Sequence, residues 1–228
     1  MSKNTIKIAN CSGFYGDRLS AAKEMVDGGP IDVLTGDYLA ELTMAILYGQ
    51  KIQRGEKAGY VGTFLKQLKQ IASSCSEKNI KVVSNAGGLN PKSMAEEVKN
   101  ILDSEGLNLK VAYIDGDDFM DKFDELKKNG EELKNLDTGV SLFKQSLPAV
   151  SANYYLGCWG IKQALDEGAD IVICPRVTDA ALVMGPAAWK FNWSRDDYDK
   201  LAGSLAAGHI IECLSLIHIS EPTRLWHI

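Results

Sequence analysis

Short apolar runs alternate with longer amphipathic stretches along the chain. Runs rich in β-branched side chains predict strands at residues 5–9, 31–34, 80–84, 109–114 and 171–174. Apolar side chains spaced three or four residues apart predict one helix that begins near residue 17. The same spacing predicts seven further helices, at residues 39–48, 60–73, 92–104, 119–128, 151–167, 179–189 and 195–205. This alternation predicts an α/β fold, a mostly parallel sheet with helices on both faces.

Two α/β architectures fit this pattern. The first is an incomplete Rossmann-like, doubly wound sheet. The second is a truncated TIM-type barrel, because a full barrel starts with the same alternation but needs about 250 residues and eight strand–helix units. In both architectures, the residues that follow the carboxyl ends of parallel strands are the ones that meet a ligand.

The stretch ADIVICPRVTDAA, residues 169–181, is the clearest strand-to-helix junction in the chain. Its unbroken β-branched run predicts a strand buried on both faces, which Pro175 ends because proline cannot donate to the ladder. Arg176 and Asp179 follow at the ligand-binding edge, where Arg176 would clamp an anion and Asp179 would act as a general base. The alternative is structural: Asp179 or Thr178 caps the next helix and Arg176 pairs with Asp179.

A second carboxylate follows the second predicted strand, in the sequence TGDY. Asp37 stands directly after Gly36, at the same predicted edge of the sheet. It is the third candidate catalytic residue, as a general base. It is equally placed to cap the helix predicted at 39–48, and both interpretations stay open.

Two glycine-bearing loops are candidate binding sites for a cofactor or an anionic group. The first, NCSGFYGD at residues 10–17, contributes Ser12, Gly13 and Gly16 in the strand–loop–helix order of a phosphate-binding turn. It lacks the third glycine of a dinucleotide fingerprint and the Gly-Lys-Ser/Thr of a P-loop. A tight turn with packed aromatic rings is the alternative.

The second loop is SNAGGLNP, residues 84–91. Asn85, Gly87 and Gly88 allow unusual backbone angles and supply amide donors without charge. The free N–H groups of the helix predicted at 92–104 would point at this loop, which suits a carboxylate or a phosphate. The alternative is a helix-start turn closed by Pro91.

Composition excludes several classes of protein. A net charge of −5 over 228 residues argues against nucleic-acid binding, and no run approaches the roughly 20 apolar residues of a membrane span. The first ten residues carry no apolar leader, and the five cysteines form no C-x-x-C pair, so we expect reduced, mostly buried thiols in a cytoplasmic protein. The DGDD run at 115–118 lacks the correctly placed glutamate of a calcium loop and predicts a capped turn. No metal site is predicted.

The last fifteen residues, 214–228, resemble the translation of a transposase-type adaptor used in sequencing libraries. We therefore expect a non-native tail there, and a domain at 5–213 that is truncated at its C-terminus near Cys213. His209, His218 and His227 are spaced nine apart, but two of them lie in this tail, so they predict no zinc site.

Six blocks of the chain together resemble the N-terminal region of the acyclic terpene utilisation AtuA family. These blocks are NCSGFYGD (10–17), DVLTGDYLAELTM (32–44), SNAGGLNP (84–91), YLGCWGIKQAL (155–165), ICPRVTDAALVMGP (173–186) and AAGHIIEC (206–213). In the family, the last block is expected to continue into a glycine-rich segment, and a further C-terminal domain often follows.

The resemblance implies a role in the degradation of acyclic terpenoids and branched acyl-CoA thioesters, without naming the reaction. The first hypothesis is an enzyme of hydratase, lyase or hydrolase type, and the alternative is a non-catalytic subunit that binds acyl-CoA or another small molecule. Either would form a homo-oligomer or join a partner subunit, and no cofactor is identified. Cys11 is a weaker candidate nucleophile, because no histidine lies in the matching blocks before His209.

Overall fold

The computed structural model describes residues 5–212, which form five strands and eight α-helices. The strands are β1 (Ile8–Asn10), β2 (Val33–Gly36), β3 (Lys81–Ser84), β4 (Val111–Tyr113) and β5 (Ile171–Ile173). The helices are α1 (Ala21–Gly28), α2 (Glu41–Arg54), α3 (Gly62–Lys78), α4 (Pro91–Ser104), α5 (Phe123–Lys128), α6 (Trp159–Asp166), α7 (Ala181–Lys190) and α8 (Tyr198–Glu212). The tail predicted at 214–228 lies outside the described residues.

The five strands form one parallel sheet in the order β1-β2-β3-β5-β4, which confirms the predicted α/β class. Among the described residues the sheet does not close, and β1 and β4 form its edges. The chain winds in one direction from β1 to β4 and then turns back to β5. Because crossovers between parallel strands are right-handed, that reversal places the later helices on the opposite face from the earlier ones.

Alternate side chains of the central strands pack into two separate cores, as the two-residue period of a strand requires. One face packs against α1, α3 and α4, and the other packs against α6 and α7. The first face presents Leu34, Val82, Ile171 and Ile173, and the second presents Val33, Val83 and Val172. Both faces are apolar, so the strand sequences show no alternation.

Several helix boundaries differ from the predicted ones, and two differ by seven or more residues. The helix predicted over 151–167 begins only at Trp159, because the preceding segment is extended and pairs with the loop after β5: Leu156 bonds to Arg176 and Thr178 through backbone groups. The helix predicted to end at 205 continues to Glu212. There Gly208 crosses Ala180 so closely that a Cβ would lie 2.9 Å from the Ala180 Cβ.

The sequence predicted neither a membrane-spanning helix nor a calcium loop. In the described part of the chain, no helix combines the length and the apolar character needed to cross a membrane. In the DGDD run the Asp118 carboxylate accepts a hydrogen bond from the Met120 backbone N–H at 2.9 Å, but no side chain caps the helical turns that follow, so the run forms a turn without the predicted cap.

Candidate functional site

The polar residues that follow β1, β2, β3 and β5 meet at the carboxyl edge of the sheet. Asp37 follows β2, Asn85 follows β3, and Asp179 follows β5 at the start of α7. The C-terminal end of α8 reaches the same place with Glu212, whose backbone carbonyl accepts a hydrogen bond from the Asn10 side chain at 2.8 Å. One carboxylate oxygen from each of Asp37, Asp179 and Glu212 lies within 4.8 Å of the other two, and we call these three residues the carboxylate cluster.

Asp37 is the most buried member of the cluster, with 3% of its surface exposed. Its Oδ1 accepts hydrogen bonds from Asn85 Nδ2 at 2.5 Å and from the Leu39 backbone N–H at 3.3 Å, whereas its buried Oδ2 has no hydrogen-bond partner. Burial raises the pKa of Asp37 to about 7, and the negative charges of Asp179 and Glu212 raise it as well, while the Asn85 hydrogen bond opposes them. The Asp37 carboxyl is therefore fixed through Oδ1, and Oδ2 is left available to bind a ligand or a proton.

Neither Asp37 nor Asp179 caps a helix through its side chain. Helix α2 begins after Ala40 and α7 begins after Ala180, and no side chain caps either helix. Asp179 is partly buried, and its buried Oδ1 also has no hydrogen-bond partner. The capping alternative for these two residues is therefore wrong.

Asn85 fixes the orientation of the Asp37 carboxyl. Its side chain is fully buried, and its Oδ1 accepts the Tyr38 backbone N–H at 2.8 Å while its Nδ2 donates to Asp37. Because this amide accepts from a backbone N–H and donates to a carboxylate, the positions of its oxygen and nitrogen are both fixed. Asn85 therefore supports Asp37 in the described structure, and its predicted role in cofactor binding stays a prediction.

Arg176 lies beside the carboxylate cluster but points into a neighbouring cavity. The Arg176 residue is 6% exposed. Its guanidinium donates to the Leu39 carbonyl at 2.6 Å and to the Tyr155 hydroxyl at 2.7 Å, and lies 3.2 Å from Glu41 Oε1. The guanidinium carbon also lies over the Tyr155 ring, 4.4 Å from the ring centroid. The predicted Arg176–Asp179 ion pair is wrong, because the partner is Glu41, whose side chain is 81% exposed. The cavity has a volume of about 180 Å³ and is lined by Glu41, Met44, Ser151, Asn153, Tyr155 and Arg176.

The first glycine loop closes on itself. The Gly13 N–H donates to Asp17 Oδ2 at 3.0 Å, and the Ser12 hydroxyl donates to the Phe14 carbonyl at 3.0 Å. Gly16 has a φ of +103°, a conformation that favours glycine. The loop also touches the site, because the Ser12 carbonyl accepts the Asp37 backbone N–H at 2.9 Å. Phosphate binding by this loop stays a prediction.

The second glycine loop is packed into the core. The Gly87 N–H donates to the Cys174 carbonyl at 3.1 Å, and the Gly88 N–H donates to the Asn85 carbonyl at 3.2 Å. A Cβ on Gly87 would lie 2.6 Å from the Cys174 carbonyl oxygen, so close packing alone explains this glycine. Ligand binding by Gly87 and Gly88 stays a prediction, now with both amides occupied within the protein.

Three residues of the site were not predicted from the sequence. They are Glu41, Tyr155 and Glu212. They are brought to the site by contacts with residues far away in the chain, which no local pattern reveals. Asn10 follows the first predicted strand, at the edge where the site was expected, and the structure places it against Glu212.

A larger cavity of about 700 Å³ lies at the amino ends of the strands, on the side of the sheet opposite the carboxylate cluster. It is lined by residues that precede β1, β2 and β3. The polar groups there are used by the backbone: Asp32 Oδ2 accepts the Lys7 backbone N–H at 2.8 Å, and Lys78 Nζ donates to the Val26 carbonyl at 2.8 Å. Orphaned carboxylate oxygens occur at the carboxyl edge instead, so we assign the candidate site there.

The described cysteines are free and buried, as the sequence predicted. Burial raises the pKa of the Cys11 thiol and of the Cys75 thiol to about 12, and it raises the pKa of Cys158 and Cys174 as well. A buried, protonated thiol is a poor nucleophile, which removes Cys11 as a candidate for catalysis.

We expect these four thiols to resist alkylation in the folded protein. Iodoacetamide at pH 7.5 should leave Cys11, Cys75, Cys158 and Cys174 unmodified, and the same reagent in 6 M guanidinium chloride should modify all four. Peptide mapping by mass spectrometry measures both. Rapid labelling of Cys11 under native conditions would contradict the buried position of β1 and its loop.

A family model described as acyclic terpene utilisation family protein AtuA matches residues 6–217 of the chain. The match extends over all five strands and eight helices, including every residue of the carboxylate cluster. No curated protein and no solved structure matches the chain.

Proposed function

The chain belongs to the acyclic terpene utilisation AtuA family, and on this premise we propose that it is a catabolic enzyme of acyclic terpenoid degradation whose chemistry takes place at the carboxylate cluster. The observation that carries the proposal is the Asp37 carboxyl, with Oδ1 fixed by Asn85 and a buried Oδ2 that has no partner. A buried carboxylate oxygen without a partner costs about 1–3 kcal/mol of stability, so its presence favours a functional role for Asp37 over a purely structural one.

The proposed substrate is a branched acid or its acyl-CoA thioester. The cavity of about 180 Å³ beside Arg176 is smaller than the roughly 300–1,000 Å³ of a drug-sized ligand site, so it suits a compact anionic group of a larger molecule. Arg176 would bind that group in place of Glu41, whose exposed side chain can leave the guanidinium at little cost. Tyr155 would keep its contact with the guanidinium and donate to the same anion.

The proposed reaction belongs to the hydratase, lyase or hydrolase type. Each of these transfers a proton to or from carbon or activates water, which a positioned carboxylate can promote. Asp37 and Asp179, each with one unpartnered oxygen, are the groups we assign to that step.

A cytoplasmic location and an association with a second copy or a partner subunit belong to the same proposal. The free, buried thiols support the location, because they are typical of a reducing compartment.

We expect the Asp37→Asn variant to lose turnover by a factor of about 100 or more, because the amide keeps the shape but cannot accept a proton in the same way. The purified protein is incubated with a panel of branched acyl-CoA thioesters and the matching free acids, and products are followed by mass spectrometry. The control is Asp166→Asn, an exposed carboxylate on α6 that pairs with Lys162.

Two results would decide against the enzyme. Equal turnover by Asp37→Asn and the unmodified protein would remove the carboxylate cluster from the chemistry. Calorimetric binding of an acyl-CoA without any product across the panel would replace the enzyme with the alternative, a non-catalytic binding subunit.

A further inference from the structure

Three carboxylates from separate parts of the chain converge on one point. We propose that Asp37, Asp179 and Glu212 form a binding site for a divalent cation of the Mg²⁺ type. One oxygen from each residue lies within 4.8 Å of the other two. In an octahedral site with bonds of about 2.1 Å, ligand oxygens lie about 3–4 Å apart, so a small inward movement of the side chains completes the coordination.

The unpartnered oxygens point to a ligand independently of the clustering. Only 3% of the Asp37 surface is exposed. Its Oδ2 is shielded from solvent and has no hydrogen-bond partner in the described structure. Asp179 Oδ1 is in the same condition. Buried carboxylate oxygens are almost always hydrogen-bonded, so two orphans in one cluster indicate a partner that is not a protein group.

The charge balance agrees with this assignment. Within residues 5–212, neither Asp37 nor Asp179 forms an ion pair, and the guanidinium of Arg176 is directed to the Leu39 carbonyl, Tyr155 and Glu41. Like charges at this separation repel strongly where water is excluded. A divalent cation would offset two negative charges among these three carboxylates.

The chemistry of the donors selects the kind of cation. All three ligands are carboxylate oxygens, which suit Mg²⁺ or Mn²⁺, whereas zinc sites use histidine and cysteine. Three protein ligands leave further positions for water or substrate, as Mg²⁺ usually retains. Calcium takes six to eight oxygens and fits this set less well.

Surrounding residues hold the ligands in place, as the outer shell of a metal site does. Asn85 fixes Asp37 Oδ1, so Oδ2 is the oxygen left to face the cation. Asn10 donates to the carbonyls of Ile211 and Glu212 at 3.3 and 2.8 Å, which secures the end of α8 against β1. Thr35 in turn donates to Asn10 Oδ1 at 3.2 Å.

This inference deepens the proposed function and rests on it for its catalytic meaning, because the cation would lie among the carboxylates assigned to the reaction. Cation binding itself is measured without any substrate. The two proposals can therefore fail separately.

Mn²⁺ binding to the full chain tests the site. After treatment with EDTA and removal of the chelator, titration followed by electron paramagnetic resonance should show one Mn²⁺ per chain, displaced by Mg²⁺. Asp179→Asn and Glu212→Gln should each weaken binding at least tenfold, with circular dichroism showing that both variants fold. The control, Asp115→Asn, changes an exposed carboxylate of the DGDD turn and should bind Mn²⁺ as the unmodified chain does.

The absence of Mn²⁺ binding at 1 mM would overturn the cation site and leave the turnover experiment unaffected. Binding that survives both Asp179→Asn and Glu212→Gln would also overturn it. Turnover that persists in EDTA but is lost in Asp37→Asn would support the enzyme without the cation. Mn²⁺ binding that is lost in both variants, with no product from any substrate, would support the cation site and reject the proposed function.

Discussion

Replacing Gly87 with alanine is expected to lower the free energy of unfolding by about 3 kcal/mol or more. The added Cβ would lie 2.6 Å from the Cys174 carbonyl oxygen, 2.7 Å from the Pro91 Cβ and 2.9 Å from the Pro91 Cα. Two of these atoms belong to the backbone and the third to a rigid ring. The clash therefore cannot be relieved by rotating a side chain, and two segments of the chain have to separate.

The same substitution should disturb the candidate site. The Gly87 N–H bonds to the Cys174 carbonyl, which joins the loop after β3 to the end of β5. Asn85 lies two residues before this contact and Arg176 two residues after it. Separating the two segments would therefore move both Asn85, which supports Asp37, and the guanidinium of Arg176.

Urea unfolding followed by circular dichroism measures the loss, and Gly49→Ala is the matched control. Gly49 lies within α2, and a Cβ there would meet nothing within 4 Å. Alanine is the better helix former by roughly 0.5–1 kcal/mol, so this control should leave stability unchanged or raise it. A Gly87→Ala variant as stable as the unmodified protein would show that the loop after β3 does not approach β5 as described.

The strands could be predicted from the sequence because each lies in or beside a short apolar run. Runs such as Ile171–Ile173 have no polar partner to bury, so their place in the centre of a parallel sheet follows from composition alone. The rule that ligands meet the carboxyl ends of parallel strands then directed attention to Asp37 and Asp179, and the structure brings these two together.

The contacts that complete the site could not be predicted, because they join residues far apart in the chain. Glu212 reaches the cluster only because α8 continues about two turns beyond its predicted end. Its last turn is held by a hydrogen bond from Asn10, about 200 residues earlier. The structural alternative paired Arg176 locally with Asp179, yet Arg176 pairs with Glu41, which lies 135 residues away. Spacing along a sequence carries no information about such pairs.

The two glycine loops illustrate a different limit. A glycine needed for close packing and a glycine needed for a ligand give the same sequence signal. In the structure Gly87 fits against Cys174 and Pro91, and Gly13 donates to Asp17. The segment at 151–158 is not helical, although its apolar residues have helical spacing. Its Leu156 forms backbone hydrogen bonds with the loop after β5, and this tertiary contact outweighs the local preference for a helix.

Asn85→Ala is expected to cost about 2–5 kcal/mol of stability, the second large effect in this fold. The substitution leaves the Tyr38 backbone N–H without its partner and removes the 2.5 Å bond to Asp37 Oδ1, and both groups are buried. Each buried polar group left unsatisfied costs about 1–3 kcal/mol. Asn153→Ala, which removes a single bond to the Asp117 carboxylate, should cost less than half as much.

Asn85→Asp separates the two roles of this side chain through its dependence on pH. The introduced carboxylate can still accept the Tyr38 N–H, but it replaces a donor to Asp37 with a like charge. Repulsion in this buried place raises the folded-state pKa of the introduced group above its unfolded value of about 4, so the stability of the variant is retained at low pH and lost as pH rises through the folded-state pKa. Urea unfolding in EDTA should therefore show a larger deficit at pH 8 than at pH 5 for Asn85→Asp, whereas the deficit of Asn85→Ala changes less. Equal deficits at both pH values for Asn85→Asp would place the two carboxylates too far apart to interact, and Asn85 would then not be the residue that holds Asp37 in position.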